Sequence, residues 1–490
     1  MTSPENDNPH HAKRWLILAV LGLAQLMVVL DATIVNIGLP SAQADLGFSD
    51  ESRQWVITAY ALAFGSLLLV GGRVSDYFGR KRTLIAGLLG FAGASALGGA
   101  APSFEVLVGA RALQGAFGAL LAPAALSLLT TTFTDAGERA RAFGVYGAIA
   151  GGGGAVGLLL GGILTEYLTW RWNMYVNLFF AIPAAIGAAL LLVNQLTDRK
   201  VRMDIPGAIT ASTGLFALVF GFSRAETDGW TAAVTLVSLA LGVILLGIFI
   251  LLERRVANPM LPLRVVTDRT RGGSYLAVGI VGASMFGVFL FLTYYLQQTL
   301  GFSPVTTGVA FLPMIAGLMI SAMSASTKLL PRFGPRPIVP TGMVIAMSGM
   351  IFLTGVEVDS SYAANVLPGL LLLGFGFGLI IAPSMASATL GVRTSDSGVA
   401  SAMVNTSQQV GGSIGTALLS TISASAMTTF ASGKVPSPDL VAQASVHGYT
   451  TAFWWSAVIL GVGAVATAAL LRSGAPEVDP EADDSLVMAH

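Results

Sequence analysis

Again and again this chain runs for eighteen or more residues with almost no charge, and that pattern restricts it to very few architectures. An α-helix needs about 20 mostly apolar residues to cross a bilayer. Runs of that kind fall near 15–39, 53–72, 83–101, 104–132, 141–164, 174–193, 205–223, 230–252, 272–298, 303–327, 338–356, 361–388, 397–424 and 449–471. They predict an all-α membrane protein with fourteen transmembrane helices and both termini on one side. Only 11% of the residues are charged, against roughly 25% in a soluble domain, so most of the outer surface must face lipid. The polar stretch Met1 to Arg14 precedes an apolar run too long for a signal-peptide core, and that run is read as a retained span.

The composition also excludes function classes. Lys and Arg number 26, as do Asp and Glu, so no basic excess points to nucleic acid. Without cysteine, disulfides, thiolate nucleophiles and Cys-based metal sites are impossible. No nucleophile–base pair, metal cluster or phosphate-binding loop is visible, which disfavours an enzyme or an ATP-driven pump and predicts neither cofactor nor metal.

Orientation follows from the basic residues in the loops. With cytoplasmic termini, 21 lie inside, among them Lys13, Arg14, Arg80, Lys81, Arg82, Arg139, Arg141, Arg254, Arg255 and Arg336; Arg53, Arg171, Arg224 and Lys434 lie outside, and Arg111 falls within a span. The chain also repeats. Gly118-Ala-Leu-Leu-Ala-Pro123 recurs as Gly378-Leu-Ile-Ile-Ala-Pro383, Gly151-Gly152 as Gly411-Gly412, and Phe78-Gly79 as Phe333-Gly334. The near-constant offset predicts two homologous six-helix halves around an inserted pair. Residues 1–200 form the first bundle, 201–265 the inserted pair and linker, 266–472 the second bundle, and 473–490 an acidic tail. Two such halves with a site between them suit a rocking transporter.

The loop after the second span reads Gly72-Arg-Val-Ser-Asp76-Tyr-Phe-Gly79-Arg80-Lys81-Arg82 and resembles the major facilitator signature. The first span ends Leu30-Asp31-Ala-Thr33-Ile-Val-Asn36-Ile-Gly-Leu-Pro40, the fourth carries Arg111-Ala-Leu-Gln114-Gly115, and the fifth a glycine run ending Gly161-Gly162. With fourteen spans, these look like the EmrB/QacA-type drug:proton antiporter subfamily, and the resemblance covers the whole chain. It departs in two places. Tyr77 stands where the family's loop has a basic residue, and Gly153-Gly154 and Gly157-Leu158 stand where its fifth span has Gly-Pro. The resemblance implies the major facilitator fold and export of drugs.

Asp31 is the one acidic residue that falls well inside a span. A lone carboxylate there is costly, so it must be paired or protonated part of the time, and intramembrane ionisable groups are functional by default. Proton carriage is therefore expected of Asp31; the plainer role is a structural hydrogen bond at the end of its span. Arg111, always charged, can favour the ionised form of a nearby carboxylate or simply tie its helix to a neighbour. Asp76 with Arg80 across the Gly79 turn reads as a gate brace. Gly147, Gly151, Gly154, Gly157 and Gly161 share one helix face, which predicts close packing against another helix. Tyr294 with Gln298, and Asn405, Gln408, Gln409 and Gly412, share helix faces, and with Asn36, Tyr60 and Gln114 they are candidates for a substrate cavity.

The expected function is proton-driven export of lipophilic, bulky compounds by alternating access, with small molecules, protons and the lipid bilayer as partners. A monomer in a bacterial inner membrane is expected, with a periplasmic or accessory partner left open. Export of a lipid or endogenous metabolite, and a non-transporting receptor or scaffold, are the alternatives.

Overall fold

The computed structural model describes residues 11–49, 52–133, 136–193, 204–256, 259–389, 392 and 397–474. Every described element is helical. The first six are α1 (Arg14–Leu46), α2 (Trp55–Phe78), α3 (Arg80–Gly99), α4 (Phe104–Thr132), α5 (Ala136–Tyr167) and α6 (Trp172–Leu191). Then come α7 (Ile205–Asp228), α8 (Ala233–Glu253) and a single turn, α9 (Leu263–Thr267). The rest are α10 (Arg269–Tyr294), α11 (Pro304–Ser324), the short α12 (Leu330–Phe333), α13 (Pro335–Leu353), α14 (Leu367–Thr389), α15 (Ser397–Ala431) and α16 (Pro438–Leu470). Turns of π-helix extend α10 over Tyr295–Thr299 and α11 over Ala325–Leu329.

Twelve helices among the described residues are long and apolar enough to cross a membrane, where the sequence predicts fourteen. The difference lies in α2, of which the stretch compared is Trp55–Leu68, and in α5, several of whose residues lie outside the described ones. Both remain helices, of 24 and 32 residues. α5 opens with Ala136-Gly-Glu138-Arg139-Ala-Arg141, so its charges fall inside the helix rather than in the preceding loop.

The helices pack in two groups. In the first, α1 lies on α5, α6 and α4, while α4 lies on α2 and α3, and α3 on α6. In the second, α10 lies on α14, α15 and α16, α11 on α14, and α13 on α14 and α16. The groups meet along two seams, α2 against α15 and α5 against α11. α7 leans on both α2 and α15 and carries α8 on its outer side. Val237, Leu241, Ile244, Ile248 and Leu251 of α8 are all exposed. Apolar side chains on the outside of a helix this apolar belong against lipid.

One face of the bundle gathers the start of α1 and the end of α16. Arg14 at the start of α1 pairs with Glu138 at the start of α5 at 2.7 Å. Arg269 and Arg336, at the starts of α10 and α13, donate to the carbonyls of Ala469 and Ala468 at the end of α16. At the opposite face the two groups are locked together. The Tyr294 hydroxyl donates to Gln43 of α1, Gln297 Nε2 donates to the Ile37 carbonyl (3.0 Å), and Glu166 Oε2 of α5 accepts from the Val305 amide (3.0 Å). The Arg53 guanidinium stacks over Tyr294 at 4.0 Å. A layer of apolar side chains drawn from both groups, including Leu30, Ile34, Phe289 and Phe311, fills the space behind these contacts.

Candidate functional site

Asp31 and Arg111, 80 residues apart, meet inside the first helix group. Arg111 Nη1 donates to Asp31 Oδ2 at 2.6 Å, and both side chains are essentially inaccessible to solvent, at 2% and 0% exposure. Helix geometry explains why both face inward. α1 buries Met27, Leu30, Asp31, Ile34 and Val35, a stripe at three- and four-residue steps, and the carboxylate takes one of its places.

The pair is embedded in a wider network. Arg111 Nη1 also donates to Gln114 Oε1 (2.8 Å), and Arg111 Nε to the Val56 carbonyl (3.0 Å). Asp31 Oδ1 accepts from Gln114 Nε2 (2.9 Å) and from Asn177 Nδ2 (2.7 Å). Ser95 Oγ in turn accepts from Gln114 (2.7 Å) and Asn177 (3.3 Å). The Tyr60 ring lies under the guanidinium, 4.4 Å from its centre, where the negative face of the ring favours a cation. Five helices, α1, α2, α3, α4 and α6, thus converge on one buried charge pair. Arg111 and Asp31 each make several charge-assisted hydrogen bonds, which is what lets two charges sit away from water. Every recorded partner of Asp31 is a donor, the arrangement that suits an ionised carboxylate, an acceptor only.

Ser95 and Asn177 are absent from the sequence reading. Gln114 and Tyr60 are read there as cavity residues, yet both are buried in this network. Asn36 is buried as well, donating to the Ala32 carbonyl of its own helix. Tyr294 and Gln298 do not act together: Tyr294 is buried against Gln43, while Gln298 is exposed. The π turn over Tyr295–Thr299 alters the register there, so that Gln297 is the residue that reaches across to α1. The polar face of α15 is divided between seams. Gly412 and the Gln408 backbone press on α10 at Phe286 and Gly282, while Gln409 faces Gly65 of α2; Asn405 lies partly buried beside them.

Two glycines of α5 press on α1 beside the network. A Cβ on Gly157 would overlap Thr33 Oγ1 and come within 3.1 Å of the Leu30 carbonyl, and one on Gly161 would meet Ile34. Gly154 has room, with Thr33 Cγ2 3.9 Å from a built Cβ. The surroundings of Gly147 and Gly151 lie outside the described residues. So does the side chain of Asp76, and with it the Asp76–Arg80 brace. The turn itself is described: Gly79 alone links α2 to α3, at φ 91° and ψ 138°, a conformation that a side chain disfavours.

Comparison with known proteins adds the lineage. Residues 21–416 match the model of the Major Facilitator Superfamily. The chain is 50% identical over 479 residues to the puromycin resistance protein of Streptomyces alboniger, covering 97% of this chain and 95% of that one. It is 37% identical over 461 residues to the cephamycin export protein of Amycolatopsis lactamdurans, covering 93% of each. Among solved structures, an auto-inhibited peptide transporter of the POT family superposes with a TM-score of 0.68 over 93% of this chain and 96% of that one, at 15% identity. A bacterial homologue of the human lysosomal transporter Spinster, in an inward-facing, occupied conformation, gives 0.63 over 94% and 97%, at 16% identity. Family, helical architecture and transporter relatives agree, and the chain is a membrane transporter of the Major Facilitator Superfamily rather than an enzyme.

Proposed function

We propose that this protein exports lipophilic, bulky drugs in exchange for protons, as a member of the fourteen-span EmrB/QacA-type subfamily with its termini in the cytoplasm. The observation that carries the reading is the buried Asp31–Arg111 pair, ringed by Gln114, Asn177, Ser95 and Tyr60. Protonation of Asp31 removes the negative charge that strengthens its bonds from Arg111, Gln114 and Asn177 and leaves the guanidinium without its counter-charge. Because those partners sit on α4 and α6, the weakened network lets α1 shift against them. That supplies the differential interaction by which proton binding selects one conformation over another. With cytoplasmic termini, the Tyr294, Gln297 and Glu166 contacts close the outward side, which supports reading this state as an outward-closed member of the cycle.

The drug assignment is supported by the resistance and export functions named for the relatives. The fourteen-span count rests on treating α2 and α5 as spans, since each has the length of one and packs inside the bundle between neighbours that qualify. In this reading α7 and α8 are an insertion between two six-helix bundles, residues 1–200 and 266–472. Asp76 with Arg80 across the Gly79 turn acts as the gate brace on the cytoplasmic face, and the α5 glycine face is a sliding surface. The test is transport of a panel of compounds, puromycin and ethidium among them, in reconstituted vesicles with an imposed pH gradient. The reading expects accumulation driven by the gradient and abolished by collapsing it. Transport that ignores the gradient would overturn the proton coupling, and a panel untouched in every condition would overturn the drug assignment.

A further inference from the structure

A second group of buried carboxyls lies outside the Asp31 site, at the root of the inserted helices. Asp204 caps α7, its Oδ1 accepting from the Gly207 amide at 3.0 Å. Glu253 is the last residue of α8, and its Oε2 accepts from the Leu261 amide at 3.0 Å. Both residues are more than nine-tenths buried, at 6% and 4% exposure. Their other oxygens, Asp204 Oδ2 and Glu253 Oε1, have no hydrogen-bonding donor among the described residues. Both flank Gly207: a Cβ built there would overlap the first and lie 3.0 Å from the second. Among the described residues, the groups acting on Glu253 are the Asp204 carboxyl, within hydrogen-bonding reach, and the backbone around Met260 and Leu261, with no cation. Of the nearby basic side chains among the described residues, Arg73 of α2 is committed to the Pro259 carbonyl at 2.7 Å, and Arg254, Arg255 and Arg264 are exposed. The α15 residues at this junction, Val399 and Met403, are apolar.

The segment these carboxyls hold is a three-way junction. Pro259 is bound by Arg73 of the first helix group, and Leu261 by Glu253 of the inserted pair. The Leu261 side chain packs with Ala211 and Phe249 of the inserted pair and with Val266, Val399 and Met403 of the second group. Two facing carboxyls with no cation are stable when they share one proton, and they repel when it leaves. We propose that Asp204 and Glu253 are a proton-binding pair that latches the inserted helices, through residues 259–261, to both helix groups. With the proton in place, one carboxyl donates to the other and the junction is closed. Loss of that proton to water leaves two like charges side by side and loosens the root of α7 and α8 from the Arg73 contact. The pair gives the inserted helices a role, that of sensing pH at the face carrying the termini. It stands whether or not Asp31 couples protons to transport.

The absence of cysteine makes the test specific, because introduced thiols have no rivals. Spin labels on Tyr77→Cys at the end of α2 and Leu251→Cys near the end of α8, both exposed positions, report the distance across the junction in the full chain in lipid vesicles. As pH rises from about 5 to about 9, which takes in the raised values documented for buried carboxyls, the distribution should lengthen and broaden. Glu253→Gln keeps an acceptor for Leu261 and a permanent donor toward Asp204, so it should hold the low-pH distribution throughout, and Asp204→Asn should do the same. A distance that ignores pH in the parent protein, or a pH response that survives in both variants, would overturn the proposal.

Discussion

The packing of α5 on α1 gives the sharpest mutational contrast, because two glycines one turn apart meet very different surroundings. An alanine at Gly157 would drive its methyl group into Thr33 Oγ1. Thr33 has little freedom to move aside, since its hydroxyl donates to the carbonyls of Val29 (3.2 Å) and Leu30 (3.1 Å) on its own helix, and the Leu30 carbonyl crowds the same space. Overpacking of this kind costs about 1–3 kcal/mol. At Gly154 the methyl group meets only Thr33 Cγ2, at an ordinary contact distance of 3.9 Å, and Gly→Ala inside a helix gains roughly 0.5–1 kcal/mol. The two variants should therefore lie on opposite sides of the parent and differ by about 1.5–4 kcal/mol. Thermal inactivation of the detergent-solubilised protein, followed by size-exclusion profile, reads the order Gly154→Ala, parent, Gly157→Ala. Adding Thr33→Ala should recover most of the loss at Gly157, since the clash is with its hydroxyl. Equal tolerance at the two glycines, or no rescue by Thr33→Ala, would refute the assigned contact.

Three further outcomes follow from the site and the loop. Arg111→Lys keeps the charge but cannot reach Asp31, Gln114 and the Val56 carbonyl together, so gradient-driven export should fall to near that of Arg111→Ala in a vesicle assay. Asn177→Leu keeps the size and removes one donor to the Asp31 carboxylate, a charged hydrogen bond of about 1.5–3 kcal/mol; the pH profile of transport should shift while expression and membrane insertion stay normal. Gly79→Ala forces a side chain into φ 91°, a strain of roughly 1–3 kcal/mol, and should lower thermal stability more than Gly154→Ala raises it.

The large features of this molecule are written in its composition and periodicity. Long uncharged runs, an offset repeat and two lone charges inside spans lead to a helical transporter and to Asp31 and Arg111, which the structure joins at 2.6 Å. The residues that complete the network were not legible. Ser95 and Asn177 are single small polar residues in apolar helices, and nothing in their local sequence separates them from the many serines and threonines that bond to their own helix. Which of Gln297 and Gln298 crosses to α1 depends on a π turn, and no hydrophobic period announces it. The span count differs at α2 and α5, parts of which lie outside the described residues. Asp204 and Glu253 lie at the two ends of a helical hairpin, so their meeting is a product of tertiary packing.

The central claim is that Asp31 exchanges a proton for substrate, and simultaneous recording of ethidium export and lumenal pH in sealed vesicles tests it most directly. The parent protein should move protons against dye with a fixed ratio. Asp31→Asn, inserted to the same level, should move neither against a gradient. Proton flux that persists with dye transport in Asp31→Asn, or dye export by the parent with no proton movement at all, would contradict the account.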